Sequence, residues 1–421
     1  MLYAFTSCAL NYTPKSRALL QSLREHAPDV KVCLALADDA REFDDELLEL
    51  YDHVFPLSGI PELNRPGWIF KHQIVELATA IKPWVMRQIL DLPDCEGVFY
   101  FDPDMVLFHD IEDMIANLRD NNIILTPHLT DPETTLRGIE DNELSALKHG
   151  AYNLGYIGVR NTDEGKRFAR WWANRLKYYC REDIPAGIFT DQKWIDLVPS
   201  FFEGVHVLRH PGYNVASWNM TNRHIEKVGP MRYTVNGDRP LVFYHFTGFD
   251  SGNHAVMSEL YSQGNEDVAE LVKWYKDTTD VLAEEPMARV PWAYYNFSDG
   301  TKVPLAARRL YRDRKDLQAR FPDPFDADPG DGMSYKDWYA RHEAELSAQN
   351  ALAGATVGLP KMSPGGERPA QARRTSPLLR PLLVPARMVK SARYRADVMA
   401  NLRRTYRFNG VRGLVQLVVG R

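Results

Sequence analysis

Residues 97–108 read GVFYFDPDMVLF, an apolar run that Asp102, Pro103 and Asp104 interrupt. Burial of an unpaired charge is costly, so the two acids must meet a cation, a hydrogen-bonding partner or water. Side chains two positions apart on an extended chain point to the same side, and the proline holds Asp102 extended. Mg²⁺ and Mn²⁺ prefer such carboxylate pairs as ligands. The apolar flanks favour a metal site over the alternative, a turn with two solvated acids.

Strand and helix patterns alternate along the segment that leads to this stretch. Residues 3–10 and 29–38 are strand-like, and residues 13–27 and 68–90 have helical patterns. This β-α-β-α-β order predicts an α/β fold with a mainly parallel sheet and helices on its faces. Ligands of such sheets bind beyond the carboxyl ends of the strands. Residues 4–12 (AFTSCALNY) and 99–104 (FYFDPD) both turn polar at that end, so we expect them to border one crevice.

Five segments resemble, in the same order, the motifs of GT-A fold glycosyltransferases, in particular the glycogenin-like and lipopolysaccharide galactosyltransferase-like enzymes. They are TSCALNYTPKSRALLQSL (6–23), FYFDPDMVLF (99–108), YNLGYIGV (152–159), FTDQKWIDL (189–197) and FYHFTG (243–248). The second segment contains the DxD motif of that family. The resemblance covers roughly residues 1–255. It implies a Rossmann-like, GT-A type nucleotide-diphospho-sugar transferase domain, to which we add a helical C-terminal extension.

Two positions depart from the family motifs. Leu154 stands where the family has the middle Ser of an N-S-G strand. No Lys follows His245 and Gly248 at the place where the family's Lys touches the diphosphate. Lys82, in a KPW sequence ahead of the DxD strand, lies where the family commonly has a basic residue near the phosphates. The resemblance therefore implies a phosphate or sugar contact for Lys82.

The resemblance also implies roles for individual residues. Asp102, Asp104 and His245 are the implied ligands of Mn²⁺ or Mg²⁺, since imidazole is an acceptable ligand of Mn²⁺. The implied donor-binding residues are Thr6, Asn11, Tyr12, Lys82, Asn153, Asp191 and Gln192. Of these, Asp191 and Gln192 are also the implied catalytic residues. We expect Trp218 and Asn219, in a later loop, on the acceptor side.

These features predict a metal-dependent hexosyltransferase that moves a sugar from a nucleotide-diphosphate donor, expected to be a UDP-sugar, to a glycan or lipid-linked acceptor. The resemblance implies retention of anomeric configuration, whereas an inverting enzyme would need a carboxylate base, for which Asp196 and Asp250 are candidates. The alternatives are a metal-dependent nucleotidyltransferase or phosphatase that uses the same acid pair, and a non-catalytic sugar-binding module. A dehalogenase-type phosphatase motif also fits DPDMV, but GDRPLVF (237–243) lacks that family's second acid.

Composition divides the chain into four predicted parts. They are a catalytic domain over residues 1–290, an extension over 291–346, a flexible linker rich in Ala, Gly, Pro and Ser over 347–378, and a basic tail over 379–421. The four cysteines have neither CxxC nor zinc-ligand spacing, which predicts free thiols in a reducing compartment. The first residues lack the features of a signal peptide, so we expect a cytoplasmic protein.

The tail has the pattern of a basic amphipathic helix. Its apolar residues recur at spacings of three or four: Met388, Ala392, Ala396, Met399, Leu402 and Tyr406. Residues 361–421 contain 14 Lys and Arg against two acids, a net of +12, whereas residues 1–360 contain 37 against 54, a net of −17. Such helices lie on anionic membranes, so we expect a protein peripheral on the inner face of the cytoplasmic membrane. The acidic body disfavours nucleic acid as the partner, and the alternative is a helix docked on its own domain.

Truncation near residue 350 tests the role of the tail. Each Lys or Arg near an anionic surface contributes about 1 kcal/mol, so truncation should release the protein from anionic vesicles and preserve donor hydrolysis. Added salt should weaken binding of the full chain, because screening at roughly 0.1 M confines the attraction to about 10 Å. Co-sedimentation with anionic and neutral vesicles measures both effects. A full chain that stays free at low salt, or a truncated chain that unfolds, would contradict the membrane role.

Overall fold

A computed structural model describes residues 1–39, 43–250, 252–330 and 332–343 of the chain. The chain divides into two units, Met1–Leu346 and Ser347–Arg421, and every described residue belongs to the first unit. The predicted linker (347–378) and basic tail (379–421) therefore lie outside the described residues.

The central sheet is built from the most apolar segments of the chain. The strands of the described residues are β1 Leu2–Cys8, β2 Val30–Leu36, β3 His53–Pro56, β4 Gly97–Phe101, β5 Met105–Leu107, β6 Ile123–Pro127, β7 Tyr152–Arg160, β8 Glu182–Asp183, β9 Ile188–Phe189, β10 Val205–Val207, β11 Ile225–Gly229, β12 Arg232–Val235, β13 Arg239–Pro240 and β14 Phe243–His245. Seven of these form one sheet in the order β10-β6-β7-β4-β1-β2-β3. β1 pairs in parallel with β2 and β4, and β7 runs antiparallel to β4 and β6. The predicted mainly parallel sheet is confirmed.

Helices cover both faces of this sheet. The helices of the described residues are α1 Thr13–His26, α2 Asp44–Leu50, α3 Pro66–Phe70, α4 Ile74–Leu90, α5 Glu112–Asp120, α6 Leu136–Gly138, α7 Leu144–His149, α8 Asp163–Tyr179, α9 Val198–Phe201, α10 Asn253–Tyr261, α11 Glu266–Leu282, α12 Leu305–Asp313 and α13 Lys315–Arg320, and residues 335–343 are also helical. α4 and α8 pack on one face, and α1 and α5 on the other. Cover on both faces explains why β4 is apolar without alternation. In the part of the chain that the structure describes, we find no helix with the length and apolar character needed to cross a membrane.

The helix predicted over residues 68–90 is in fact two helices, α3 and α4. Gln73 precedes α4, and its backbone N–H donates a hydrogen bond to the Glu76 side chain at 3.0 Å. The Gln73 side chain in turn accepts from the first turn of α4, which completes a capping box. Hydrophobic periodicity continues across this cap, so the pattern alone concealed the break.

The predicted extension packs beside the start of α4. Arg308 on α12 is buried and donates hydrogen bonds to the carbonyl oxygens of Phe70 and His72, both at 3.1 Å. Arg312, one turn later, forms an ion pair with Glu76 at 3.1 Å. Since Glu76 belongs to the capping box, the extension helps to fix where α4 begins.

A short antiparallel pair, β5 with β14, extends from the end of β4. His245 at the end of β14 lies opposite Met105 at the start of β5. The Phe246 N–H donates a hydrogen bond to the Asp104 carbonyl oxygen at 2.9 Å. The pairing therefore places a late segment of the chain directly beside the DxD stretch.

Replacement of Trp172 tests how α8 packs on the sheet. Its side chain is fully buried and stacks on Phe168 with ring centroids 5.6 Å apart. Loss of this ring leaves a cavity, so Trp172→Ala should lower the free energy of unfolding by about 3–5 kcal/mol. Tyr178 on the same helix is 67% exposed. Tyr178→Ala should therefore change the free energy of unfolding by less than about 0.5 kcal/mol. Urea unfolding compares the two variants, and equal losses would contradict a core position for Trp172.

Candidate active site

A cleft of about 640 Å³ opens beyond the carboxyl ends of β1 and β4, where the sequence predicts a crevice. Its charged lining residues are Asp102, Asp104, Asp191, Asp250 and Lys82. Four carboxylates and one ammonium group make the cleft acidic. An anionic ligand would therefore need a cation to enter it.

Asp102, Asp104 and His245 form a group that could hold a metal ion. One ligand atom from each residue lies within 4.8 Å of the other two. His245 Nε2 is 3.1 Å from Asp104 Oδ1 and 3.7 Å from Asp102 Oδ2. Two carboxylates and one imidazole suit Mn²⁺ or Mg²⁺.

The surroundings of His245 fit a bound cation. The side chain is buried, its Nδ1 has no hydrogen-bond partner among the described residues, and its Nε2 faces Asp104 Oδ1 at 3.1 Å without the angles of a hydrogen bond. Buried polar atoms without partners are uncommon and costly. Burial alone lowers the pKa of His245, but Asp104 and Asp102 outweigh it and raise that pKa above its ordinary value. A cation between the ring and the two carboxylates would satisfy all three groups.

Gly155 on β7 provides the space that the His245 ring occupies. A Cβ at Gly155 would lie 2.6 Å from His245 Cε1 and 2.3 Å from Met105 Cε. The Gly155 carbonyl oxygen accepts a hydrogen bond from the Asp102 N–H at 2.7 Å. On another side, the Trp218 ring packs edge-on against His245 with centroids 5.5 Å apart. The ring is therefore held in place by its neighbours.

Lys82 on α4 joins the metal group to a further acid. Its ammonium group donates hydrogen bonds to Asp102 Oδ1 at 3.1 Å and to Asp191 Oδ2 at 3.3 Å. Burial lowers the pKa of Lys82, but the two carboxylates outweigh burial and raise that pKa, so the group stays charged.

The pKa values of the two carboxylates that share Lys82 are shifted in opposite directions. Burial raises the pKa of Asp102, but Lys82 and His245 outweigh burial and hold that pKa below its ordinary value. Asp102 also accepts a hydrogen bond from the Tyr100 hydroxyl. At Asp191, burial outweighs Lys82 and raises the pKa of the carboxyl. Asp102 is therefore the acid better suited to a cation.

Gln192 and Asn153 belong to a buried network of amide groups. Gln192 Oε1 accepts hydrogen bonds from the Leu154 N–H at 3.0 Å and from Asn153 Nδ2 at 3.3 Å. Asn153 Oδ1 accepts from the Gly155 N–H and from Asn214 Nδ2, both at 3.0 Å. These bonds fix the orientation of the amides in the cleft wall.

The structure brings most of the predicted site residues together. Those that line the cleft are Asn11, Tyr12, Lys82, Asp102, Asp104, Asn153, Asp191, Gln192, Trp218 and His245. Thr6 and Asn219 do not line it: both are buried. Asn219 closes its own loop, since its Oδ1 accepts from the Ala216 N–H and its Nδ2 donates to the Asn214 carbonyl, both at 3.0 Å.

The two candidate bases of an inverting mechanism are both engaged by lysines. Asp196 lies outside the cleft lining and accepts hydrogen bonds from the Ala151 N–H at 2.8 Å and from Lys193 at 2.7 Å. Asp250 lines the cleft, forms an ion pair with Lys15 and accepts from the Tyr12 hydroxyl at 3.2 Å.

Among the residues that were not predicted from the sequence, Tyr100 and His128 line the cleft, and Asn214 contacts the cleft residue Asn153. Tyr100 lies two positions before Asp102, so strand alternation already placed it on the same side of the chain. His128 Nε2 lies 3.2 Å from Asn153 Nδ2, and Asn214 contacts the same side chain. His128 and Asn214 follow no pattern in the sequence, because only the tertiary fold brings their loops to Asn153.

Two curated proteins of Bacillus subtilis (strain 168) are similar to this chain, and both are described as uncharacterized. YfnF is 25% identical over 206 residues, which are 48% of this chain and 66% of YfnF. YfnD is 26% identical over 246 residues, which are 56% of this chain and 74% of YfnD. The chain thus spans about two thirds of the length of the first relative. No protein-family model matches the chain.

Solved structures that are similar to this chain are glycosyltransferases. The galactosyltransferase LgtC in complex with donor and acceptor sugar analogs is 16% identical and matches 65% of this chain and 96% of its own, with a TM-score of 0.36. GlyE of Streptococcus pneumoniae TIGR4 is 15% identical and matches 52% of this chain and 48% of its own, with a TM-score of 0.34.

Replacement of His245 tests the metal group. Loss of one of three ligands should lower the affinity for Mn²⁺ by about tenfold or more, while the carboxylates remain. Calorimetric titration of Mn²⁺ into wild type and His245→Ala measures the change. His224→Ala is the matched control, since His224 is exposed and lies outside the cleft lining. An unchanged Mn²⁺ affinity in His245→Ala would show that His245 is a packing residue.

Proposed function

We propose that the protein is a metal-dependent glycosyltransferase that transfers a hexosyl group from a UDP-sugar to a glycan or lipid-linked acceptor. The observation that carries this proposal is the group of Asp102, Asp104 and His245, with ligand atoms within 4.8 Å of one another, in an acidic cleft. The cleft volume of about 640 Å³ supports it, because ligand pockets are typically about 300–1,000 Å³. The family resemblance of five ordered motifs supports the choice of donor.

Leaving-group stabilisation is the proposed basis of catalysis. Asp102, Asp104 and His245 would hold Mn²⁺ or Mg²⁺, which would neutralise charge on the departing nucleoside diphosphate. Lys82 places a permanent positive charge 3.1 Å from Asp102 Oδ1, which would stabilise the same negative charge. The Tyr100 hydroxyl and Lys82 both favour ionised Asp102.

We assign the donor sugar to the wall that contains Asp191 and Gln192. Asp191 is buried and shares Lys82 with the metal group, so it would lie near the bond that breaks. Gln192 binds the Leu154 N–H and Asn153, so it would orient the amide of Asn153 toward sugar hydroxyls. Asn11 and Tyr12 are assigned to the nucleotide. Trp218 is assigned to the acceptor side.

We propose retention of anomeric configuration. An inverting enzyme needs a carboxylate base within reach of the acceptor hydroxyl. Asp196 lies outside the cleft lining, and Asp250 is engaged by Lys15 and Tyr12. Their positions support retention over inversion.

We also propose a cytoplasmic location. Cys8, Cys33, Cys95 and Cys180 are all buried free thiols. Unpaired thiols are typical of reducing compartments, which supports the proposal.

Replacement of Asp102 or Asp104 by asparagine should abolish sugar transfer without loss of the fold. An amide cannot replace a carboxylate at a hard cation, so Asp102→Asn and Asp104→Asn should each lower turnover by about 100-fold or more. The assay measures UDP released from a panel of UDP-sugars in the presence of Mn²⁺. Release of pyrophosphate or phosphate instead would identify a nucleotidyltransferase or a phosphatase.

Asp110→Asn is the matched control for the loss of one charge. Asp110 lies near the same stretch, is 51% exposed at its side chain and does not line the cleft. It should keep wild-type turnover, and circular dichroism should show the same fold in all three variants. Near wild-type turnover in both Asp102→Asn and Asp104→Asn would refute the metal-dependent mechanism.

A further inference from the structure

The helical segment over residues 136–149 walls the cleft on one side and exposes leucines on the other. The cleft-lining residues near its end are Ser145, Ala146 and His149. Leu136, Leu144 and Leu147 are 73%, 51% and 71% exposed. Leu144 and Leu147 are three positions apart on α7, so these two leucines share a helix face, and Leu136 lies on α6, before the π-helical turn Ile139–Glu143.

A second group of exposed apolar side chains lies on α8 and on residues 192–201. Tyr178 and Tyr179, at the end of α8, are 67% and 46% exposed, and Leu197 and Phe201 are 41% and 48% exposed. The Trp171 ring contacts Phe201 with ring centroids 5.9 Å apart. Tyr178 and Tyr179 also lie beside each other, with ring centroids 6.4 Å apart, and Tyr179 lies 6.2 Å from the Trp194 ring.

Hydrogen bonds connect the two groups. Lys193 donates from its ammonium group to the Leu147 carbonyl oxygen at 2.8 Å. Trp194, the next residue, donates from Nε1 to the Tyr179 carbonyl oxygen at 3.3 Å. We name the seven exposed residues the apolar rim: Leu136, Leu144, Leu147, Tyr178, Tyr179, Leu197 and Phe201. Large exposed apolar side chains that cluster in this way mark interaction sites.

The helix that carries part of the apolar rim is also basic. Lys166 and Arg167 of α8 form ion pairs with Asp91 and Glu164. The remaining cations of α8 are Arg170, Arg175 and Lys177, and none of them has an acidic partner among the described residues. The helix α8 contains five Lys and Arg against Asp163 and Glu164, a net of +3, whereas residues 1–360 carry a net charge of −17, so this helix suits an anionic partner.

We propose that the apolar rim and the α8 cations dock on an anionic phospholipid surface. Leucine and phenylalanine enter the headgroup boundary, tyrosine and tryptophan prefer the interface, and arginine and lysine attract anionic headgroups. A protein partner would require one complementary surface, whereas this mixture suits the chemical gradient of a bilayer. The proposal does not depend on the catalytic assignment. The rim acts together with the predicted basic tail, because stable anchoring takes two contacts, so loss of either contact should release the protein from vesicles.

Vesicle binding by the full chain tests the charge component. The probes are vesicles of phosphatidylglycerol mixed with phosphatidylcholine, and vesicles of phosphatidylcholine alone, in low-salt co-sedimentation. Arg170→Glu/Arg175→Glu should weaken binding to the anionic vesicles by about tenfold or more. The matched control is Arg232→Glu/Arg309→Glu, which changes the net charge equally at two exposed arginines without ion pairs among the described residues, and it should bind like wild type.

A second pair of variants tests the apolar component. Leu147→Ser/Phe201→Ser should weaken vesicle binding several-fold, because less apolar surface enters the headgroup region. Val256→Ser/Val281→Ser is the control, since these residues are 63% and 72% exposed on α10 and α11. Thermal unfolding of every variant, compared with wild type, separates a loss of docking from a loss of fold.

Three results would overturn the proposal. If the wild-type chain does not bind anionic vesicles, it has no membrane-docking surface. Rim and control variants that bind equally well place any membrane contact elsewhere, including in the tail. The third result is a wild-type dimer. If Leu147→Ser/Phe201→Ser dissociates this dimer and leaves vesicle binding unchanged, the rim binds a second copy of the chain.

Discussion

The antiparallel pairing of β5 with β14 is the interaction on which the candidate site depends. Asp102 and Asp104 follow β4 directly, but two carboxylates alone leave a divalent cation weakly held. Three backbone pairs between Met105–Leu107 and Phe243–His245 bring the imidazole to them. Gly155 on the neighbouring strand leaves the space for that ring, because a Cβ there would be 2.6 Å from His245 Cε1. Backbone geometry thus determines which side chains can share one ion.

Charge balance is the second constraint on the cleft. Four carboxylates line it, and among the described residues Lys82 is the only lysine or arginine of the lining. Lys82 is shared between Asp102 and Asp191. Together with His245 it holds the pKa of Asp102 below its ordinary value, whereas burial raises the pKa of Asp191. The remaining negative charge is best neutralised by a cation, which explains why a diphosphate ligand and a metal ion would bind together.

The position of Lys82 depends in turn on residues far from the cleft. α4 begins at a capping box made by Gln73 and Glu76. Arg312 of the extension pairs with Glu76, and Arg308 binds the carbonyl oxygens at the end of α3 and beyond. The extension is therefore part of the support of the site, although it contributes no residue to the cleft lining.

The amino-acid pattern by itself determined β1, α1, β2, α4 and β4 in their order, the acid pair and the crevice, but not α2 and β3, which lie between β2 and α4. Continuous apolar runs such as GVFYF predict strands covered on both faces, and polar residues at their ends indicate where ligands bind. The motif resemblance added His245 and the amide residues of the cleft wall. Local pattern could not reveal the break between α3 and α4, because a capping box interrupts the backbone without a change in hydrophobic periodicity. Only the tertiary structure decided that Asn214 and His128 meet Asn153, that Thr6 and Asn219 stay outside the cleft lining, and that Lys82 bridges Asp102 and Asp191. Those contacts join residues far apart in the chain, and their distances depend on how strands and helices pack, which no local sequence pattern records.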